Sequence, residues 1–331
     1  MMDFSKVIGH EKIIEHLQTA ISQEKVSHSY IFNGEDGSGK KMLAGIFAKT
    51  LQCEVHENHP CNTCKSCLQA DSGNHPDIIW VTHEKASIGV DDIRVQLNND
   101  ISIKPYSALH KIYIIDEADK MTEQAQNALL KTIEEPPEYA IIILLTDNVN
   151  RLLPTILSRC VTLNLKAVDS ELMKAYLMKE HAIPDYMAEL SAKFSRGNVG
   201  TAIRYASSEN FVNSKEAVLH LLKYIDDMEL YEIVESIKQF SENKLEINDY
   251  IDLMLLWYRD ILMFKVTKDA NLLLYKNEYK YISQQASKRD YEGIENIINA
   301  MDKAKMRLKA NVNFEIAIEL MLLTIKENGN G

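Results

Sequence analysis

Ser29-Tyr-Ile-Phe32-Asn33-Gly34-Glu-Asp-Gly37-Ser-Gly39-Lys40-Lys41 is the stretch whose reading decides the fold. An apolar run enters a glycine-rich turn, and Leu43, Ile46, Phe47 and Leu51 then recur at helical spacing. Strand, glycine loop and helix in this order make a phosphate-binding loop. The glycines let backbone N–H groups curl round an anion, the helix N-terminus adds its dipole, and Lys40 reaches the outer phosphates. One position breaks the pattern. The residue after the lysine, whose hydroxyl would hold Mg²⁺, is Lys41, a cation without an acceptor atom that repels a metal.

Downstream, Lys111-Ile-Tyr-Ile-Ile115-Asp116-Glu117 is an apolar strand ending in two carboxylates. That arrangement holds Mg²⁺ and orients a water against a γ-phosphate. Alone it is a common solvated strand end; together with the loop it predicts a P-loop nucleotide-binding fold. Further apolar runs at Ile78–Val81, Ala140–Leu145 and Val161–Leu163 join Tyr30–Phe32 and Ile112–Ile115. Runs apolar on both faces and separated by helical stretches predict a parallel sheet covered by helices on each side.

All seven prolines lie at or before Pro184, and between Gly200 and the Gly-Asn-Gly tail only Gly293 occurs. The second half therefore reads as helical throughout. Ile251, Leu255, Tyr258 and Leu262 form one predicted stripe. Phe314, Ala317, Ile318, Met321 and Ile325 form another, behind a cap at Asn313, and both read as core packing. The 331 residues suffice for two or three cores. The net charge of −11 argues against a surface that wraps DNA in bulk, because phosphate binding relies on clustered Lys and Arg. No apolar run spans a bilayer and the first residues lack a secretion signal, so the cytoplasm is the expected compartment.

Four of the five cysteines fall at Cys53-x₇-Cys61-x₂-Cys64-x₂-Cys67, with Cys160 apart. The x₂ spacing lets a tight turn aim two sulfurs at one tetrahedral Zn²⁺, and four thiolates leave no open position, so a structural zinc knuckle is expected rather than a redox site. His56 and His59 could substitute as ligands but read rather as solvated loop residues.

The stretch Gln126-Asn-Ala-Leu-Leu-Lys-Thr-Ile-Glu-Glu-Pro136-Pro137, followed by Leu144-Leu-Thr146-Asp-Asn and Leu153-Pro-Thr-Ile-Leu-Ser158-Arg159-Cys160, resembles the clamp-loader branch of the AAA+ ATPases. Ala125, Ala128, Leu129 and Ile133 share one helical face that Pro136-Pro137 ends. The resemblance implies a P-loop domain over 1–164 with its zinc module at about 53–67, a helical lid over 165–209, and an all-helical collar over 210–331. It makes Arg159 an arginine finger, donated in trans to a phosphate held by a neighbouring subunit. Gly197-Asn-Val-Gly200 lies where ATPase members carry Gly-x-x-Arg, so the lid arginine is replaced by Gly200. With Lys41 this leaves the chain's own site, comprising Gly34, Gly37, Gly39, Lys40, Lys41, Asp116, Glu117 and Thr146, short of two parts. ATP binding there is expected to be weak or absent. Gly73-Asn-His-Pro-Asp77 and Trp257-Tyr-Arg-Asp-Ile-Leu262 are similar to delta-prime subunits. The partners implied are the gamma/tau ATPase subunits and the delta subunit, and through them the sliding clamp and primer–template DNA. The alternatives are a competent ATPase of the gamma/tau type and, less favoured by the charge, a zinc-dependent DNA-binding module.

Overall fold

The five apolar runs are the five strands of one parallel sheet. β1 (Ser29–Asn33), β2 (Ile78–Val81), β3 (Lys111–Ile115), β4 (Ala140–Thr146) and β5 (Val161–Asn164) lie in the order β2-β3-β4-β1-β5. The structure is a computed structural model and describes residues 3–208, 211–242 and 247–329. Residues of β1, β3 and β4 are buried almost without exception, because successive side chains feed cores on opposite faces. Ile31, Tyr113, Ile115, Ile142 and Leu144 serve one core, while Tyr30, Phe32, Ile112, Ile114, Ile143 and Leu145 serve the other.

The helices of this part are α1 (Glu11–Ser22), α2 (Lys40–Leu51), α3 (Lys65–Asp71), α4 (Val90–Ile93), α5 (Glu123–Glu134) and α6 (Pro154–Leu157). α2 packs Leu43, Ile46, Phe47 and Leu51 into the core on the Tyr30 face. α5 packs Ala125, Leu129 and Ile133 against the opposite core, and Ala128 lies beside them. It stops at Glu134, two residues before Pro136, since the residue preceding a proline is driven out of helical geometry.

α7 (Ser170–His181), α8 (Asp185–Phe194) and α9 (Val199–Ser207) follow β5 and surround a small core of Val168, Met173, Leu177, Ala188, Ala192 and Ala202. They form one compact unit, Met1–Ser207, with the sheet. The expected boundary at 209/210 lies outside the described residues.

Ser208–Gly331 is a second unit whose described residues are helical: α10 (Phe211–Tyr224), α11 (Leu230–Glu242), α12 (Ile247–Thr267), α13 (Tyr279–Lys288), α14 (Tyr291–Lys309) and α15 (Phe314–Glu327). The stripe expected on α12 is a correction in detail. Ile251 and Tyr258 are buried but Leu255 and Leu262 only half-buried, because α12 is the central helix, with Leu253, Met254, Leu256, Trp257 and Ile261 covered as well. On α15 the expected set holds: Ala317, Ile318, Met321 and Ile325 are buried and Phe314 half-buried. The Asn313 side chain caps that helix by accepting from the Ile316 N–H at 3.1 Å. Among the described residues no helix is long and apolar enough to cross a membrane.

Candidate nucleotide site, metal centre and surface arginine

Parallel strands bring their C-terminal ends to one edge, where ligands of open α/β sheets bind. Register places Asn33 beside Thr146, and the Gly34 N–H donates to the Thr146 carbonyl at 3.1 Å; β3 ends alongside, delivering Asp116 and Glu117. The loop between Asn33 and α2 turns through Gly37 (φ 79°) and Gly39 (φ 94°), values that L side chains rarely adopt. Gly39 is the N-cap of α2 and supplies no side-chain cap, leaving the first N–H groups of a twelve-residue helix directed at the loop.

Lys40 lies buried in this loop and donates to the carbonyls of Gly34 (2.5 Å) and Glu35 (2.9 Å). Burial pulls its pKa below the usual lysine range, against the opposing pull of Asp36, Asp147, Asp116 and Asp119. Lys41 reaches across to β3: its Nζ is 2.6 Å from Asp116 Oδ2, and this hydrogen bond raises the lysine pKa. Glu117, held at φ 51°, pairs with Lys120 at 2.6 Å and faces His83 Nε2 at 3.3 Å. The Lys120 contact lowers its carboxyl pKa. Asp119 meets Arg151 at 3.5 Å and accepts from the Thr146 hydroxyl at 3.3 Å.

The start of α9 rests on carbonyls of the loop. The Gly200 N–H donates to the Gly37 carbonyl at 2.8 Å, and Asn198 Nδ2 donates to the Asp36 carbonyl at 2.6 Å. A Cβ at Gly200 would stand 2.8 Å from Gly37 Cα, so this approach excludes any side chain there.

The four sulfurs of Cys53, Cys61, Cys64 and Cys67 lie within 4.8 Å of one another, and four such ligands could hold a metal ion. Tetrahedral Zn–S bonds of ~2.3 Å require sulfurs about 3.8 Å apart, so the donor set fits that metal. Cys61 Sγ and Cys67 Sγ are 3.9 Å apart. Backbone N–H groups already point at the sulfurs: Cys61 N to Cys53, Cys64 N to Cys61 and Cys67 N to Cys64, each at 3.3 Å. Hydrogen bonds from Thr63 and then Cys64 bring the Cys61 thiol down to about 6, while burial drives Cys67 up. His59 faces Glu57 at 3.0 Å, and neither it nor His56 belongs to the cluster. Lys49, on α2, reaches Asp71 at 2.7 Å and Asn62 at 2.5 Å, tying the cysteine module to the helix that begins at the loop.

Arg159 lies at the surface, apart from the elements just described, directly after α6. Its Nη1 donates to the Thr155 carbonyl (3.0 Å) and the Ser158 hydroxyl (3.1 Å), and its Nη2 is 3.0 Å from Glu134 Oε1. Both ends of that pair are exposed, so it contributes about 0–1 kcal/mol and holds the guanidinium only loosely. Cys160 next to it is screened, and burial raises its thiol to about 12.

The structure thus brings together Gly34, Gly37, Gly39, Lys40, Lys41, Asp116, Glu117 and Thr146 at one edge, gathers the four cysteines elsewhere, and sets Arg159 on the surface. Sequence reasoning did not reach the pairing of Lys41 with Asp116, the Asn198 and Gly200 contacts, or Glu134 as the partner of Arg159. The first had a signal, since a lysine in a metal-ligand position opposite a carboxylate is complementary to it in charge. The other two depend on how α9 and α5 pack.

Family models for "DNA polymerase III, delta subunit" and for its C-terminal part match residues 9–169 and 211–327. DNA polymerase III subunit delta' of Bacillus subtilis is 31% identical over 319 residues, covering 96% of each chain. DNA polymerase III subunit tau of the same organism is 28% identical over 95% of this chain, which spans 60% of that longer protein. Among solved structures, a DNA polymerase III gamma-subunit-related protein from Thermotoga maritima aligns over 96% of this chain and 99% of its own, at 22% identity and a TM-score of 0.49.

Proposed function

The chain belongs to the family of DNA polymerase III delta-prime subunits, and from that membership we propose that it is the non-hydrolysing stator of a clamp loader, completing a neighbouring subunit's ATP site with Arg159. The observation that carries this reading is an opposition of two sites. The chain's own nucleotide edge has its Asp116 neutralised by Lys41, while a loosely held guanidinium stands exposed at Arg159. A guanidinium suits bidentate contact with phosphate oxygens and stabilises the charge that develops on transfer. Lys41 removes the metal-holding hydroxyl and Gly200 removes the lid arginine, so this subunit assists hydrolysis without performing it.

In this reading the ATPase (gamma/tau) subunits and the delta subunit are its direct partners. The sliding clamp and primed DNA are met through them, in the bacterial cytoplasm. The segments 1–164, 165–209 and 210–331 serve as ATPase-fold domain, lid and oligomerising collar. Cys53, Cys61, Cys64 and Cys67 hold one structural Zn²⁺, which crosslinks the 53–67 loop and takes no part in phosphate chemistry.

The test is reconstitution with ATPase and delta subunits. Arg159→Ala leaves assembly intact and lowers ATP turnover and clamp loading by the complex, about 10³-fold where an arginine finger acts fully in trans. Unchanged rates would sink the role. A second reading, a competent ATPase of the gamma/tau type, draws on the similarity to a tau subunit along most of this chain and on the presence of Lys40, Asp116 and Glu117. Steady-state ATP turnover by the isolated chain, abolished by Lys40→Ala, would establish it instead.

A further inference from the structure

We propose that the Lys41 ammonium stands in for the divalent cation, so that the loop from Gly34 to Lys41 takes the phosphate chain of a nucleoside triphosphate without metal. This deepens the reading of that edge as a non-hydrolysing nucleotide site and rests on it.

Three observations lead there. The first is where the cation sits. Lys41 Nζ lies 2.6 Å from Asp116 Oδ2. In a P-loop ATPase this interval, between the residue after the loop lysine and the carboxylate at the end of the third strand, is bridged by Mg²⁺. An ammonium in the same interval donates three hydrogen bonds where the metal would accept ligands, and still faces the phosphate side with positive charge.

The second is that the three carboxylates that follow β3 each pair with a cation of the protein. Asp116 is taken by Lys41, Glu117 by Lys120 at 2.6 Å, and Asp119 by Arg151 at 3.5 Å. A hard divalent cation requires several oxygen ligands with unspent charge, and at these three positions the protein's own cations have consumed it.

The third is that the loop keeps its means of holding an anion. The N-terminus of α2 is uncapped by any side chain. The Ser38 hydroxyl, on a residue only 9% exposed, has no hydrogen-bond partner and lies beside Gly34, 2.9 Å from where a Cβ there would be. A buried hydroxyl without a partner costs about 1–3 kcal/mol, which an acceptor oxygen of a ligand would relieve. Asn198 and Gly200 engage the carbonyls of Asp36 and Gly37, a contact that holds the loop in its curled form. Lys40 waits on two backbone carbonyls, weaker partners than a phosphate, and can exchange them.

The experiment is equilibrium dialysis of the full-length chain against radiolabelled ATP, in EDTA and in excess Mg²⁺. The unaltered chain is expected to give the same Kd in both buffers, within about threefold. Lys41→Thr, which restores a hydroxyl at an exposed helix position, should bind about tenfold or more weakly in EDTA and recover with Mg²⁺. Lys41→Met, similar in length but uncharged, should be weak in both. ATP retention by the unaltered chain that requires Mg²⁺, no retention in either buffer, or equal affinity of Lys41→Thr in EDTA would each overturn the proposal. Because dialysis involves no partner subunit, a failure here is distinct from a failure of the Arg159 test in the reconstituted complex.

Discussion

At Gly200 the absence of a side chain has a structural consequence. Its Cα packs on Gly37, so Gly200→Arg must first prise α9 from the loop. Overpacking of this kind costs about 1–3 kcal/mol, and urea unfolding of the variant should register a loss of that size. A variant as stable as the parent would mean that α9 moves aside freely. Cys160 poses the reverse case, a thiol beside the surface Arg159 that chemistry cannot easily reach. With its pKa raised to about 12 by burial it is almost wholly protonated at pH 8. Alkylation of Cys160, followed by peptide mass analysis, should run about tenfold or more slower than that of an exposed cysteine, since the thiolate is the reactive form. Lys41 was legible as a defect from its position alone. That it is also a partner to Asp116 was not, because two residues so far apart in sequence meet only through the sheet.

Among the elements, α2 joins the two ends of the site's architecture. Its first turn faces the phosphate loop, and its last turns carry Lys49, whose ammonium holds Asp71 and Asn62 of the cysteine module. On the proposal that the four cysteines hold Zn²⁺, a chelator should therefore loosen residues 53–71 while leaving the sheet intact. Hydrogen exchange would show protection lost in that segment and kept in β1 and β4; loss spread evenly over the sheet would contradict so local a role. Helix α1 begins at His10, which is 5% exposed with Nε2 unpartnered, and burial holds its pKa below 6.5. The unfolded chain then binds a proton that the folded one refuses, so stability declines as pH falls through 6.5 towards the lower folded pKa. His10→Asn, which places a favourable N-cap residue there, should flatten the unfolding free energy between pH 7 and 5.5 relative to the parent. An unchanged slope would assign the dependence to other groups.

Over the whole molecule, the two units rest on different kinds of core. The first is a sheet with a core on each face. The second is a helical unit in which Arg289, fully buried, pairs with Asp226 and lies 5.7 Å from the Tyr258 ring. Removing one partner of such a pair leaves a buried charge uncompensated, at a cost of about 3–5 kcal/mol. Asp226→Ala should accordingly unfold the second unit at markedly lower denaturant, while the β-sheet signal persists to its usual midpoint. Simultaneous loss of both would show that the units unfold together.

The amino-acid sequence by itself determined the five strands, the phosphate loop, the end of α5 at Pro136, the Asn313 cap and the cysteine spacing. Each is a local matter of periodicity, steric restriction or ligand interval, complete within a few consecutive residues. Only the tertiary structure decided that Lys41 neutralises Asp116, that Gly200 closes on Gly37, that Glu134 holds Arg159 and that α12 is covered nearly all round. Those contacts join residues that strand register and helix packing bring together. No local pattern carries their distance, because it is fixed by how whole elements stack and not by the residues that meet.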